Sequence, residues 1–304
     1  MSRNKRQEGP QEKRDPAFPV REESELMDFL LRTLPHKNRD NIKTLLRCRQ
    51  VLVDGAPVTR FDHRLLSGQV VTVTRNRSSK SKELRGLTLV YEDNDLLVVN
   101  KHAGILSVAT PGKKETVTAY SLLYTHVKMN DPAGKIFIVH RLDRDTSGLM
   151  LFARSARVQK ILQQNWDEII LERTYAAVCE GIVDPPGGEI SSYLREEGAL
   201  RMVSDQRPGS GRWAVTRYQT LRTGNHFSLL KVTLRTGRKN QIRVHLQDIG
   251  HPVAGDKKYG SVMNPVGRLA LHAMTLVFRH PVTGTVLRFE TPVPRKFFHA
   301  LKQA

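Results

Sequence analysis

The sequence contains only two cysteines in 304 residues, Cys48 and Cys179, and neither has a second cysteine nearby. A disulfide framework or a structural zinc site needs several cysteines or histidines at short spacing. His245, His251 and His272 also lack a ligand spacing with cysteines or carboxylates. The sequence therefore predicts no disulfide, no bound metal and a reducing compartment, the cytoplasm.

Long apolar runs are absent as well. No stretch has the roughly 18 consecutive apolar residues that a membrane-spanning helix requires, and the first residues, MSRNKRQEGPQEKRDP, lack the apolar segment of a secretory signal. The glycine patterns GxxxxGK[ST] and GxGxxG, which hold nucleotide phosphates, do not occur. These absences predict a protein with no membrane partner and no nucleotide cofactor.

Acidic residues are few relative to basic ones. Thirty Asp and Glu stand against 49 Lys and Arg, which gives a net charge of +19. Such an excess favours a polyanionic partner because phosphate contacts release counterions. A solubilising surface would give the same count, so charge alone leaves both interpretations open. The length suggests about two domains, and 39% hydrophobic residues suffice for a packed core.

Ionisable side chains are concentrated between two apolar runs, 136–139 and 149–152, each of which predicts a short buried strand. The segment between them contains two Asp, two Arg, a His, a Thr, a Ser and a Gly within nine residues. Charges at the ends of buried strands are usually paired, and such places often carry shifted pKa values. We therefore predict an active site here, with Asp143 as its leading residue and Asp145 in a turn.

Six segments of the sequence resemble, in order, the motifs of the RluA-type pseudouridine synthases, which isomerise uridine in RNA. They are VVNKHAG at 98–104, HRLDRDTSGLML at 140–151, ERTYAA at 172–177, RTGRKNQIRVH at 235–245, GDKKYG at 255–260 and RLALHA at 268–273. The resemblance covers about residues 86–300. The sequence departs from the family pattern at His102, where Pro is usual, and at Lys239-Asn240, where Thr-His is usual.

The resemblance implies roles for individual residues. Asp143 would be the catalytic carboxylate, Arg243 a bidentate partner that keeps it ionised, and Tyr175 the aromatic residue of the base pocket. Arg141 would occupy the space left when the target base is flipped out. Phosphate contacts are predicted for Lys101, Arg235, Arg238 and Lys239. His140 is predicted to be a structural hydrogen-bonding residue, and no cofactor is implied because isomerisation consumes neither ATP nor redox equivalents.

The apolar pattern after residue 86 predicts the secondary structure of a catalytic domain at 87–304. It predicts hairpins at 87–91 with 96–99 and at 276–278 with 286–289, strands at 175–178, 213–221 and 227–234, and helices at 116–127, 155–169 and 239–248. Because hairpins predominate, the fold class should be α+β with a largely antiparallel sheet. The resemblance implies the same, a long mixed sheet with a central cleft.

Residues 21–75 predict a separate small domain. Helical spacing at 26–34 and 42–46, short strands and the Asp54-Gly55 turn resemble the S-four-type RNA-binding domain, named after a ribosomal protein. Lys43, Arg47 and Arg49 would then contact RNA phosphates, although a solvated helix face has the same pattern. Residues 1–20 are predicted to be a disordered tail and 76–86 a basic linker.

Together these patterns predict an RNA pseudouridine synthase. Large-subunit ribosomal RNA is favoured over tRNA because the appended domain is associated with ribosomal members of the family, and a monomer is the default. One alternative is a non-catalytic RNA-binding or ribosome-assembly factor, which would not need Asp143, Tyr175 and Arg243. Another is an enzyme for a phosphorylated small molecule, which would not need basic charge in both domains.

Overall fold

The computed structural model describes residues 16–35, 37–47, 50–58, 60–73, 82–109, 117–198 and 201–302. The chain divides into two compact units, of which the first comprises Met1–Lys80 with Tyr91–Asn94 and the second Ser81–Val90 with Asp95–Ala304. Within the described ranges, no helix is both long enough and apolar enough to cross a membrane.

The first unit packs two helices against short antiparallel strands. Its elements are β1 Ala17–Pro19, β2 Ser24–Glu25, α1 Leu26–Thr33, α2 Arg39–Arg47, β3 Val51–Val53, β4 Ala56–Pro57, β5 Arg64–Leu65 and β6 Val70–Val73. One sheet has the order β1-β6-β3-β4, and β2 pairs with β5. The predicted turn is confirmed between β3 and β4, where Asp54 and Gly55 have positive φ angles of 49° and 80°. The helices predicted from Leu26 and Ile42 are confirmed, and both residues are fully buried.

Two predicted boundaries differ from the structure. The predicted tail extends too far, because Ala17–Pro19 pairs with β6 and Val20 is only 2% exposed. Residues 1–15 of that tail lie outside the described residues. The predicted linker ends too late, because Lys82–Leu84 forms a strand, β7, that pairs with the following strand. The apolar pattern does not predict this strand because two of its three residues are charged. Charged side chains are common in edge strands.

The remaining elements lie in the second unit, apart from residues 91 and 92 at the end of β8. Its strands are β7 Lys82–Leu84, β8 Leu87–Glu92, β9 Leu96–Lys101, β10 Phe137–Ile138, β11 Ser147–Ala153, β12 Ile170–Glu180, β13 Gly187–Glu197, β14 Arg201–Asp205, β15 Arg212–Thr223, β16 Phe227–Leu234, β17 Leu271–Arg279 and β18 Val286–Glu290. Its helices are α3 Ala119–Asn130, α4 Ala156–Gln164, α5 Trp166–Ile169, α6 Gln241–Asp248 and α7 Arg295–Ala300, with a 3-10 turn at Lys257–Tyr259.

These strands form one twelve-stranded sheet among the described residues. Its order is β14-β13-β15-β16-β12-β17-β11-β9-β8-β7, with β10 beside β11 and β18 beside β17. The described pairings are antiparallel except that of β11 with β17. The predicted α+β class with a long, mainly antiparallel mixed sheet is therefore confirmed. Strands β13 and β14 were not predicted, because Gly, Ser and charged residues interrupt their apolar alternation.

The parallel contact between β11 and β17 depends on Gly148. This residue has φ +116°, and a Cβ atom there would lie 2.2 Å from the carbonyl oxygen of Ala273. The added carbon would be fixed to the backbone of β11, and the oxygen belongs to the backbone of β17. Neither atom can therefore move without breaking the pairing of Ser147 with His272. The loop that contains Asp143 enters β11 directly before this contact, so Gly148 also fixes the position of that loop.

We expect Gly148→Ala to lower the free energy of unfolding by about 3 kcal/mol or more, because the added carbon overlaps the backbone of β17. Urea unfolding followed by circular dichroism measures the loss. Gly250→Ala is the matched control, since Gly250 also has a positive φ, +80°, but nothing lies within 4 Å of its would-be Cβ. The control should lose only about 1 kcal/mol from backbone strain. Equal losses in the two variants would contradict the close-approach explanation.

Candidate active site

A cavity of about 490 Å³ lies beside the sheet in the second unit. Its walls come from the segment 139–143, from β12 and from the segment 237–243 at the start of α6. The cavity brings together several predicted site residues that are distant in sequence: Arg141, Asp143, Tyr175, Arg238, Lys239 and Arg243. A cleft that gathers ionisable groups from several elements is the usual form of an enzyme site.

Asp143 and Arg243 form the central ion pair of the cavity. Nη1 of Arg243 donates to Oδ2 of Asp143 over 2.8 Å, although the residues are 100 positions apart. The Asp143 side chain is 31% exposed and the Arg243 side chain 14%. Oδ1 of Asp143 makes no hydrogen bond to any residue that the structure describes. One carboxylate oxygen is therefore held in place, and the other is available for chemistry in the cavity.

The prediction that Arg243 would bind Asp143 through two donors is wrong. The two-donor contact is made with Asp256, whose carboxylate accepts from Nε over 2.6 Å and from Nη2 over 2.8 Å. The Asp256 side chain is 1% exposed. Burial lowers the pKa of Arg243, but the charges of Asp256 and Asp143 outweigh it and raise that pKa, so the guanidinium stays charged. In the sequence, Asp256 appears only as part of the GDKKYG segment, and no neighbouring residue indicates that it binds Arg243.

Asn240 and Tyr259 complete the surroundings of Arg243. The guanidinium lies over the Tyr259 ring at 4.8 Å from its centroid. Oδ1 of Asn240 accepts from Nη1 of Arg243 over 3.2 Å, and Nδ2 of Asn240 donates to the Tyr259 hydroxyl over 2.9 Å. Asn240 has the left-handed angles φ 54° and ψ 17° directly before α6. Asn adopts this region more readily than most residues, which explains how α6 begins here despite the departure from the family pattern.

Tyr175 forms the wall of the cavity on β12 and is 8% exposed. Burial raises the pKa of its hydroxyl; the nearby Arg173 opposes this effect and the Asp143 carboxylate adds to it. The hydroxyl is therefore protonated at neutral pH. Its ring supplies an apolar face within the cavity, and its hydroxyl supplies a polar group at the same place.

The structural role predicted for His140 is confirmed. Its Nε2 accepts a hydrogen bond from the backbone N–H of Leu151 over 3.0 Å, and its ring packs against Trp166 with centroids 5.1 Å apart. Burial lowers the pKa of His140 to about 3, so the ring is neutral and cannot act as a base with its acceptor nitrogen already occupied. Asp145 is exposed, and its carbonyl oxygen accepts from Arg268 over 3.3 Å, which agrees with a turn position.

The predicted phosphate contact by Lys101 is wrong. Lys101 is fully buried, and its Nζ donates to the carbonyl oxygens of His102, Ile105 and Arg144 over 3.0, 2.7 and 3.0 Å. Its three N–H groups are thus all used within the protein. Burial lowers the pKa of Lys101 to about 8. The side chain connects the loop after β9 to the loop of Asp143, a role that depends on long-range geometry and leaves no local sign in the sequence.

We expect Lys101→Met to lower the free energy of unfolding by about 3 kcal/mol, because three buried carbonyl oxygens lose their donor. Urea unfolding measures the change. Lys160→Met is the matched control, since Lys160 is exposed on α4, and it should change stability by less than about 0.5 kcal/mol. A Lys101→Met protein as stable as the control would show that the carbonyl contacts carry little energy.

The other predicted basic residues differ in position. Arg238 and Lys239 line the cavity, where Nε of Arg238 donates to the Trp213 carbonyl over 3.1 Å and Nζ of Lys239 contacts Glu196 over 2.9 Å. Arg235 is exposed but does not line the cavity. Lys43 is exposed on α2 of the first unit, whereas the Arg47 side chain and Arg49 lie outside the described residues.

The family model for RNA pseudouridylate synthases matches residues 95–248, which include the loop of Asp143, Tyr175 and Arg243. The chain belongs to the RNA pseudouridylate synthase family. The reaction predicted from the sequence is thereby confirmed: the protein is an isomerase that converts uridine in RNA to pseudouridine.

Relatives of this pseudouridine synthase cover most of its length. It is 33% identical over 288 residues to "Ribosomal large subunit pseudouridine synthase D" of Neisseria meningitidis serogroup B, which covers 90% of this chain and 76% of the relative. It is 37% identical over 222 residues to the RNA pseudouridine synthase YhcT of Bacillus subtilis, which covers 71% and 72%. The solved structure of human RNA Pseudouridylate Synthase Domain Containing 4 is similar with a TM-score of 0.57 at 25% identity, which covers 71% of this chain and 92% of that one.

We expect Asn240→Gly to lower kcat for pseudouridine formation about tenfold, because Nη1 of Arg243 loses a hydrogen-bond acceptor worth about 1.4 kcal/mol. Glycine keeps the left-handed backbone, so the loss of stability is limited to the hydrogen bonds of the amide with Arg243 and Tyr259. Asn240→Ala removes the same amide but adds backbone strain of about 1 kcal/mol. Single-turnover assays and urea unfolding together should show equal activities and unequal stabilities. Wild-type activity in Asn240→Gly would exclude a positioning role for the side chain.

Proposed function

We propose that this enzyme modifies large-subunit ribosomal RNA and that Asp143 is its catalytic carboxylate. The observation that carries the second point is the Asp143–Arg243 pair, in which Oδ2 is held at 2.8 Å and Oδ1 has no described partner. The free oxygen acts on the target nucleoside as the bond between ribose and base breaks. The guanidinium of Arg243 holds the carboxylate in position in a partly enclosed site.

Tyr175 is proposed to bind the flipped base, and Arg141 to occupy the space that the base leaves. The target uridine leaves its stack and enters the cavity, where the Tyr175 ring packs against the uracil. The freed base turns and a bond forms between ribose and a ring carbon. That carbon then loses its proton, and the ring nitrogen that was bound to ribose gains one, an exchange in which the Tyr175 hydroxyl relays a proton. Arg141 is exposed at the cavity edge and occupies the space that the base leaves.

The proposal of ribosomal RNA as substrate is supported by relatives named ribosomal large subunit pseudouridine synthase D. The net charge of +19 and the exposed Lys43 on α2 agree with a large polyanion. The first unit would raise the effective concentration of the catalytic unit on a structured RNA. We further propose that the protein acts as a monomer in the cytoplasm.

Mapping of pseudouridine at single-nucleotide resolution tests this function. Ribosomal RNA and tRNA are compared from cells that lack the protein and from cells restored with wild-type or Asp143→Asn protein. We expect sites in large-subunit RNA to vanish in the deletion, to return with the wild type and to stay absent with Asp143→Asn. Sites that change only in tRNA would overturn the substrate. Full restoration by Asp143→Asn would favour the non-catalytic ribosome-assembly factor.

A further inference from the structure

Arg173 enters the cavity from β12 in a place built for a planar guanidinium. Its Cζ lies 5.6 Å from the centroid of the Trp166 ring. Gly237 is also close, because a Cβ atom there would lie 2.5 Å from Nη1 of Arg173. Trp166 is itself packed against His140. The Arg173 side chain therefore packs against an aromatic ring and a glycine, and both neighbours also line the cavity.

The donors of Arg173 are not used within the described part of the protein. Arg243 directs its donors to Asp143, Asp256 and Asn240. The Arg173 side chain, by contrast, makes no hydrogen bond or ion pair with any described residue, and it packs against Trp166 and Gly237. A guanidinium has five N–H donors in a fixed plane that matches phosphate oxygens. A partly buried arginine with free donors in a substrate cavity is suited to a ligand.

The charge of the cavity indicates the kind of ligand. Its described lining contains one acidic side chain, Asp143, which is already paired with Arg243. Arg141, Arg238 and Lys239 line the same cavity and add positive charge. An anion is therefore favoured next to Arg173, and the stacking surface of Trp166 is already occupied by the guanidinium.

The position of Arg173 relative to Tyr175 indicates which part of the substrate it contacts. The two residues are two positions apart on β12, where Thr174 pairs with Thr233 and Tyr175 with Val232 of β16. Alternate residues of a strand point to the same face and are separated by about 7 Å. Arg173 thus lies about 7 Å from Tyr175 along the strand, so a group bound by Arg173 lies next to the base and not in its stacking position.

We propose that Arg173, which packs against Trp166 and Gly237, binds a phosphodiester group that flanks the target uridine. This inference rests on the proposed function, since it takes the ligand to be RNA. The contact is a charge-assisted hydrogen bond that holds the strand while the base is in the pocket. It anchors the substrate equally before and during the reaction, so it affects KM and RNA affinity rather than kcat.

The test measures the salt dependence of RNA binding. The probe is an in vitro transcript of large-subunit ribosomal RNA from the organism of the protein. Its affinity is measured between about 0.05 and 0.3 M salt, roughly the range over which phosphate contacts are resolved. The full-length proteins compared are the wild type, Arg173→Met, Arg173→Lys, Gly237→Ala, the double variant of Arg173→Met with Gly237→Ala, and Arg279→Met. Arg279→Met controls for the loss of one positive charge, because Arg279 is exposed at the end of β17 and its described side-chain contact is the Gly284 carbonyl.

We expect Arg173→Met to weaken binding about tenfold at 0.1 M salt and to reduce the slope of log affinity against log salt by about 1. Arg173→Lys should keep the slope, since it keeps the charge. Gly237→Ala should behave like Arg173→Met, because its Cβ displaces the guanidinium, and the double variant should show no further loss. Arg279→Met should bind like the wild type.

An Arg173→Met protein with wild-type affinity would overturn the proposal. So would weaker binding with an unchanged slope, which would indicate a contact with a base. Circular dichroism confirms that each variant is folded. Pseudouridine formation by the wild type on the same transcript is measured in parallel. Its absence would overturn the proposed substrate, while the slopes would still decide the role of Arg173.

Discussion

Asp143→Asn is expected to lower the single-turnover rate of pseudouridine formation by about 10⁴-fold or more, because it removes the carboxylate that we propose to be catalytic. An amide has no charge to attack or to stabilise positive character at the sugar carbon. Its oxygen still accepts the hydrogen bond from Nη1 of Arg243, which Asp143 now receives over 2.8 Å. The free energy of unfolding should therefore change by less than about 1 kcal/mol.

The assay uses a transcript of large-subunit ribosomal RNA and follows pseudouridine by mass spectrometry. Asp145→Asn is the matched control, because it removes the same charge two residues away on an exposed turn. The control should retain near wild-type activity. If Asp145→Asn is as inactive as Asp143→Asn, the effect comes from the charge of the loop and not from one carboxylate. If Asp143→Asn is active, another group performs the chemistry.

The predicted site residues that the structure brings together belong to local motifs. Asp143, Tyr175 and Arg243 line one cavity, as the resemblance implied, because each lies in a segment with a recognisable pattern. The strands that position them, β11, β12 and β16, have continuous or alternating apolar residues that predict strands without knowledge of their partners.

The residues that sequence patterns missed depend on contacts between distant segments. The sequence does not distinguish Lys101 from a solvated lysine. Its burial and its contact with the Arg144 carbonyl depend on a segment that is distant in sequence. Asp256 lies 13 residues after Arg243, a spacing that no helix or strand periodicity connects. The ERTYAA segment gives no role for Arg173, because its unused donors are recognised only when its neighbours in the fold are known.

Arg243 connects Asp143, the proposed catalytic carboxylate, to the rest of the second unit. Its guanidinium contacts Asp143 in the loop before β11, Asn240 at the start of α6, and Asp256 and Tyr259 in the segment after α6. A single side chain therefore fixes three segments of the chain around one oxygen of Asp143. We infer that changes to Asp256, which does not line the cavity, reach the reaction through Arg243.

Asp256→Asn is expected to lower the free energy of unfolding by about 3–5 kcal/mol, because it leaves the charge of Arg243 buried without its main partner. The Asp256 side chain is 1% exposed and that of Arg243 14%, so water cannot replace the lost carboxylate. Activity should also fall, since Arg243 is no longer held in the orientation that contacts Asp143. Urea unfolding and the single-turnover assay measure the two effects.

Glu189→Gln is the matched control for this prediction. Glu189 and Arg217 approach to 2.6 Å, the same separation as Arg243 and Asp256, but their side chains are 44% and 56% exposed. An exposed pair of this kind contributes about 0.5 kcal/mol or less. The double variant Asp256→Asn with Arg243→Met should be more stable than Asp256→Asn alone, because it removes the unpaired charge, yet it should remain inactive. If Asp256→Asn loses no more stability than Glu189→Gln, burial does not strengthen the Arg243–Asp256 pair, and Asp143 must be positioned by other contacts.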